Sequence, residues 1–313
     1  MDIKCESCQC TINEKVSVSG IGLHSGKKVN LTIKPGEENS GIYFCRLDSK
    51  GMSIPARMDR VIDTHLATTI AEKNVMVSTT EHLLASFAGL GIDNAVVELD
   101  GAEIPIMDGS AAPFVKLLRK VGLRRQQAPK RILKITDEVS FTDGHGFIRI
   151  LPHDGLRITC EIDFNHRMIN HQIYSIELSP ERFTSEISQA RTFGFLEQVE
   201  KLQRDGRALG GSLENAVVLD RISVLNQEGL RFADEFVRHK ILDVIGDMAL
   251  LGYPLMGHVI AYKSGHQHHL RLMQEIVRHT ECWELVELNN NTVSAFPFLA
   301  APAVCFATES CPA

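Results

Sequence analysis

The sequence predicts an α+β fold built as two similar domains. Its 313 residues are more than one domain of ~100–200 residues usually holds. In both halves, short β-type runs bounded by glycine-containing turns alternate with helical stretches. An internal echo points to duplication. Asn94-Ala95-Val96-Val97-Glu98-Leu99-Asp100 resembles Asn215-Ala216-Val217-Val218-Leu219-Asp220, each after a helical stretch and a Gly-rich turn. A repeated unit leaves such a trace, and so do chance matches among β-strands.

The elements are expected in this order. Val16–Ser19, Lys28–Ile33 and Gly41–Phe44 read as strands, separated by turns such as Gly20-Ile21-Gly22 and Pro35-Gly36. A helix should start near Ser78, run through Leu83, Leu84 and Phe87, and stop at Gly89 or Gly91. Ala95–Leu99 is the next strand. A second helix follows Ser110, with Pro113 in its first turn, and ends at Gly122. The polar run Arg124-Arg125-Gln126-Gln127-Ala128-Pro129-Lys130 is the best linker candidate, which gives domains of residues 1–127 and 128–313. Beyond it Arg131–Ile135, Gly146–Leu151 and Leu156–Phe164 read as strands, and Pro180–Gln189 and Leu196–Arg204 as helices.

Composition narrows the function classes. With 44% hydrophobic and 23% charged residues the chain is of ordinary globular type. A net charge of -6 offers no broad basic field for nucleic acid, although a local basic patch for one phosphorylated molecule remains compatible with it. Met1–Cys10 has no apolar core and does not read as a signal peptide. The apolar stretch Ala295–Ala307 is shorter than the ~20 residues a membrane span needs and holds two prolines. The eight cysteines are too scattered for a disulfide framework, and Cys5, Cys8 and Cys10 lack a fourth ligand for zinc. The expectation is a cytoplasmic protein with no integral membrane segment. The tail Cys305–Ala313 carries no reading.

Asp234–Met248 is the most informative segment. Val237, Ile241, Val244, Met248 and Leu251 recur at helical spacing and mark a core stripe. At ~100° per residue, His239, Asp243 and Asp247 fall within an arc of about 80° on the opposite side. An imidazole and a carboxylate four residues apart can reach one metal ion, with Asp247 holding a ligand from behind. The plainer alternative is a solvated polar face. Glu81-His82 supplies what the pair lacks, because zinc catalysis uses three protein ligands and a nearby carboxylate that takes a proton from the attacking water. His82 sits in the first turn of its helix, where the dipole disfavours the protonated ring and keeps it fit for a metal. Glu81 has a rival role, because Ser78-Thr79-Thr80-Glu81 fits a capping box. Thr192 in Ala190–Phe195 can donate to a carbonyl oxygen. His266, on a Gly-containing loop, can act as an acid or stabilise an oxyanion. His268 and His269 read as surface residues.

These segments resemble one family, the zinc-dependent UDP-3-O-acyl-N-acetylglucosamine deacetylases of lipid A biosynthesis. The resemblance rests on Gly20–Gly26, Ser78–Leu83, Gly91–Asn94, Ile104–Phe114, Ile162–His166, Ala190–Phe195, Leu209–Ser212, Asp234–Asp247 and Ala261–His266, in family order. It implies two similar α+β domains with the helices packed between the two sheets. It also implies Zn2+ on His82, His239 and Asp243, with Glu81 as general base. Thr192 would polarise the amide carbonyl, and His266, oriented by Asp247, would be the acid or electrostatic partner. Lys240 would contact substrate or the developing oxyanion. Phe164, Phe193, Gly211 and His24 would bind substrate, with an acyl-chain passage around Ile162–Met168 and Gly211. The partner implied is the acylated UDP-sugar, acted on by a monomer. Gly146 and Gln198 depart from the family pattern at the nucleotide-sugar end. Two rivals stay open: a zinc deacetylase of another N-acetyl sugar, and a non-catalytic metal-binding regulator. Intact Glu81 and His266 speak against the second.

Overall fold

The computed structural model describes residues 7–289 and 292–296. Cys5, most of Ala295–Ala307 and the tail Cys305–Ala313 lie outside them. The first half holds β1 (Cys8–Ile12), β2 (Val16–Ile21), β3 (Lys28–Pro35), β4 (Ile42–Arg46), β5 (Met52–Pro55), β6 (Val61–Asp63), β7 (Thr69–Glu72), β8 (Val75–Val77), α1 (Glu81–Leu90), β9 (Ala95–Leu99) and α2 (Ala112–Val121). Five of these strands form a sheet in the order β2-β3-β9-β4-β5. Its two faces follow the period of the strand: Val29, Leu31 and Ile33 of β3 are buried, while Lys28 and Asn30 are exposed. β6, β7 and β8 make a separate small sheet.

The second half holds β10 (Leu123–Ile135), β11 (Val139–Thr142), β12 (Phe147–Leu151), β13 (Leu156–Asp163), β14 (His171–Glu177), α3 (Pro180–Arg182), β15 (Phe193–Phe195), α4 (Leu196–Arg204), β16 (Val217–Leu219), α5 (Glu235–Met248), β17 (Leu255–Tyr262), α6 (His266–Arg278), β18 (Trp283–Asn289) and β19 (Thr292–Phe296). A larger sheet runs β11-β12-β17-β10-β18-β19, with β13 joining β17 to β14 and β1 added on β10. The fold is α+β.

Three sequence expectations are corrected here. Arg124–Lys130 is not a linker but the first part of β10, whose backbone pairs with β1 from Leu123 to Pro129 and with β18 from Lys130 to Ile135. Arg124, Arg125 and Gln127 are exposed, so a polar composition coexists with a paired backbone. The internal echo does not mark equivalent strands. β9 is the central strand of the first sheet between α1 and α2, whereas Val217–Leu219 pairs with β15 in a two-stranded sheet and, through one bridge from Leu219, with Val224. The succession that matches α1–β9–α2 in the second half is α5–β17–α6. Finally, Pro180–Gln189 forms α3 followed by a π-helical turn at Phe183–Ile187 rather than one regular helix.

A single apolar cluster runs from Leu31, Phe44 and Val97 of the first sheet, through Leu83 and Phe87 of α1 and Ile241 and Ile245 of α5, to Ile148, Ile158 and Val259 of the second. α1 and α5 are buried on nearly every face, which a helix lying between two sheets requires. They touch at Gly246, where a Cβ would stand 2.0 Å from the Glu81 carbonyl oxygen. That contact sets Glu81 and His82 opposite His239 and Asp243.

Candidate active site

The site is built where α1 begins. Thr79 takes a left-handed φ of 58°, Thr80 leads into the helix, and the first helical residue is Glu81 rather than Ser78. No side chain caps this end, so the capping box is not formed. Glu81 instead turns its carboxylate inward, where Oε2 accepts the Thr68 N–H at 3.1 Å. Burial, with Asp247 and Asp243 close by, pushes Glu81 up to about 7 against the pull of His266.

His82 faces His239 and Asp243 of α5. The ligating atoms of these three buried residues all lie within 4.8 Å of one another, a group that can hold a metal ion. Asp243 Oδ1 is 3.4 Å from His239 Nε2 and 3.8 Å from His82 Nε2. Donors of one tetrahedral zinc, at bonds of ~2.0–2.1 Å, stand about 3.3 Å apart, so these two separations need only slight contraction. The donors are also in the right state. The His239 Nδ1–H donates to the Ala190 carbonyl at 3.0 Å, leaving Nε2 bare toward Asp243. Burial and neighbouring His239 hold His82 down to about 3, and burial also lowers His239. Asp243 stays ionised: burial opposes it, but Lys240, His239, His266 and His82 outweigh burial. Its second oxygen accepts Lys240 Nζ at 2.6 Å, which leaves Oδ1 for a metal.

His266 is not on a loop but is the first residue of α6, where the helix dipole opposes its charge. Burial opposes it too, yet Asp247 Oδ2, 2.6 Å from Nδ1, prevails and raises His266 to about 9. His268 and His269 are buried, against the sequence expectation, because α6 turns them toward β11 and α5. His269 Nδ1 reaches the same Asp247 oxygen at 2.6 Å.

A cavity of about 350 Å³ is lined by Glu81, His82, His239, Lys240, Asp243 and His266, together with Thr192, Phe193, Phe164 and His24. Thr192 is pinned on both sides, its N–H on the Gly109 carbonyl and its carbonyl on the Val217 N–H, each at 2.8 Å. Neither ring nitrogen of His24 has a protein partner among the described residues, although both are buried. Phe164, Phe195 and Gln198 also line an adjoining cavity of about 500 Å³ with His166, Leu196 and Leu219. Gly211 lines neither; it packs on Leu23 and Ala208. Ile162 is buried and lines neither cavity, and Met168 is exposed. Gly146 is buried, and a Cβ there would stand 2.5 Å from the Tyr262 carbonyl oxygen.

Sequence reasoning missed three supporting residues. Thr68 donates Oγ1–H to Asp247 Oδ1 at 2.6 Å, and Glu103 takes the N–H groups of His24 (2.7 Å) and Ser25 (2.9 Å). Neither carries a spacing signal. His269 does, three residues after His266, but only to a reader who has placed α6.

A family model described as UDP-3-O-acyl N-acetylglycosamine deacetylase matches residues 9–278, a span that contains every lining residue of both cavities. The chain belongs to this family. Among curated relatives it is 50% identical over 279 residues to the UDP-3-O-acyl-N-acetylglucosamine deacetylase of Myxococcus xanthus (strain DK1622), covering 89% of each chain. It is 48% identical to that of Idiomarina loihiensis (strain ATCC BAA-735 / DSM 15497 / L2-TR), over 92% of this chain and 95% of the relative. With that of Methylococcus capsulatus (strain ATCC 33009 / NCIMB 11132 / Bath) the identity is 46%, over 94% and 98%. Membership makes the chain an enzyme of deacetylase type. No helix among the described residues is long and apolar enough to cross a membrane.

Proposed function

We propose that this chain hydrolyses the N-acetyl group of UDP-3-O-(3-hydroxyacyl)-N-acetylglucosamine with the aid of Zn2+, releasing acetate in the committed step of lipid A biosynthesis. The observation that carries the reading is the convergence of Glu81, His82, His239, Asp243 and His266 on one cavity, which Thr192 also lines. Zinc on His82, His239 and Asp243 would polarise the amide carbonyl and favour loss of a proton from water. Glu81 has the position and affinity to take that proton near neutral pH. Thr192 and Lys240 donate toward the carbonyl oxygen as it gains negative charge. His266, kept protonated by Asp247, gives its proton to the amine nitrogen as the C–N bond breaks. His24, whose two ring nitrogens have no partner among the described residues, binds a polar group of the substrate. The aromatic group Phe164, Phe193 and Phe195, with ring centres 5.8–5.9 Å from Phe164, forms the apolar wall for the rest.

The reading includes a monomer in the cytoplasm, and domains of residues 1–127 and 128–313. The change of partners along β10 between Pro129 and Lys130 supports that division. Acetate release is the test of substrate: because the acyl chain helps position the amide, shortening it to a small acyl group should sharply lower kcat/KM. Equal rates with UDP-N-acetylglucosamine itself would favour a deacetylase of another N-acetyl sugar.

A further inference from the structure

Asp247 is buried and fully engaged. Oδ1 accepts the Thr68 hydroxyl, and Oδ2 accepts Nδ1–H from both His266 and His269, each at 2.6 Å. His266 lines the cavity; His269, fully buried along α6, does not. The other nitrogen of His269, Nε2, lies 3.3 Å from Ser264 Oγ, and Ser264 does line the cavity.

Donor and acceptor roles along this chain are forced. Burial opposes the charge of Asp247, but the two imidazoles outweigh it, so the carboxylate is ionised and only accepts. His269 must then donate from Nδ1. Burial lowers its proton affinity, which leaves Nε2 without hydrogen and able only to accept. The Ser264 hydroxyl therefore donates to His269, and its oxygen keeps acceptor lone pairs at the cavity wall. A serine with a free rotor would serve donors and acceptors alike; this one selects donors.

We propose that His269 is a positioning residue and Ser264 a substrate-binding residue. The chain Asp247–His269–Ser264 fixes the carboxylate that orients His266 and presents the Ser264 oxygen to a hydroxyl or N–H donor of the bound sugar. This rests on the deacetylase reading above, so its test has one arm that needs no turnover. In zinc-loaded protein labelled with 15N-histidine, NMR should find His269 neutral, protonated at Nδ1 and bare at Nε2. The Nε2–H tautomer or an imidazolium would overturn the proposal, whether or not acetate is ever released. In the kinetic arm, Ser264→Ala should raise KM about two- to tenfold, the worth of one hydrogen bond, with kcat near the parent value. His269→Ala should lower kcat and raise KM while retaining zinc. The double variant should have a KM no higher than His269→Ala alone, since both changes remove one contact. KM effects that multiply, or a kcat untouched by His269→Ala, would contradict the assignment. A parent enzyme that releases no acetate would defeat the deacetylase reading while leaving the NMR result to decide this one.

Discussion

Glu81 and His266 face one cavity with opposite tasks, and their surroundings raise the proton affinity of both, Glu81 to about 7 and His266 to about 9. Glu81→Gln keeps the side chain's size but cannot take a proton. A positioned base contributes roughly 10²–10⁴ in rate, so the variant should lose that much kcat while retaining its metal. A loss below tenfold with full metal content would remove Glu81 from the base role. The pH profile follows from the same pair. Glu81 acts ionised and His266 protonated, so kcat/KM should rise through an acidic limb and fall through a basic one. Without metal these groups sit at about 7 and about 9, and a bound cation moves both limbs lower. Glu81→Gln should erase the acidic limb and His266→Gln the basic one; an unchanged limb in either variant would contradict the assignment. At this scale the sequence was legible where a periodic helix carried the signal: His239, Asp243 and Asp247 are three successive i, i+4 positions. It was silent on Thr68 and Glu103, which act through contacts between segments far apart in the chain.

At the scale of elements, α1 and α5 matter most, because α1 brings His82 and α5 brings His239 and Asp243 to the metal-binding group. Their approach depends on Gly246, where any side chain meets the Glu81 backbone. Gly246→Ala should therefore force the helices apart, costing about 1–3 kcal/mol as overpacking does, and should lower metal occupancy in the same preparation. A variant with parental Tm and metal content would mean the helices are not set by this contact. The helices that frame the metal were readable because their apolar residues recur at helical spacing. α6 was not, because His266, His268 and His269 and the charges after them mask its pattern, and all three histidines were misplaced with it. The start of α1 was misread for another reason: the left-handed Thr79 breaks the chain just where Ser78-Thr79-Thr80-Glu81 looks like a cap. Only the first part of β10 was hidden, by the polar side chains of Arg124, Arg125 and Gln127; Arg131–Ile135 was legible as a strand.

At the scale of the molecule, the metal group ties the two halves together, since His82 belongs to the first and His239 and Asp243 to the second. Binding to the folded state alone stabilises it, so chelation should lower Tm, and His82→Ala should abolish that response. Equal chelator sensitivity in the variant would exclude His82 as a ligand. The metal-free protein should also respond to pH in a definite sense. His266 is raised from 6.5 to about 9 in the folded state, so its contribution is complete below 6.5 and lost as pH rises through 9. Glu81, raised from 4.5 to about 7, likewise loses its contribution as pH rises through that window. His82, lowered from 6.5 to about 3, works in the opposite direction, and its contribution is complete above 6.5. Above 6.5 nothing from His82 offsets the decline, so Tm of chelated protein should fall from pH 6.5 to 9, and less so in His266→Gln. A parallel fall in both proteins would show that His266 is not its source.

The α+β class followed from alternating element types, but the repeat was traced to the wrong strand, since short β-branched runs recur in any sheet. The most direct test of the whole account is acetate release from UDP-3-O-(3-hydroxyacyl)-N-acetylglucosamine by the purified protein, measured as isolated, after chelation, and after zinc is restored. In the parent, release should stop on chelation and return with zinc, and in His82→Ala it should not return. Release that persists without metal, or no release from zinc-loaded parent protein, would contradict it.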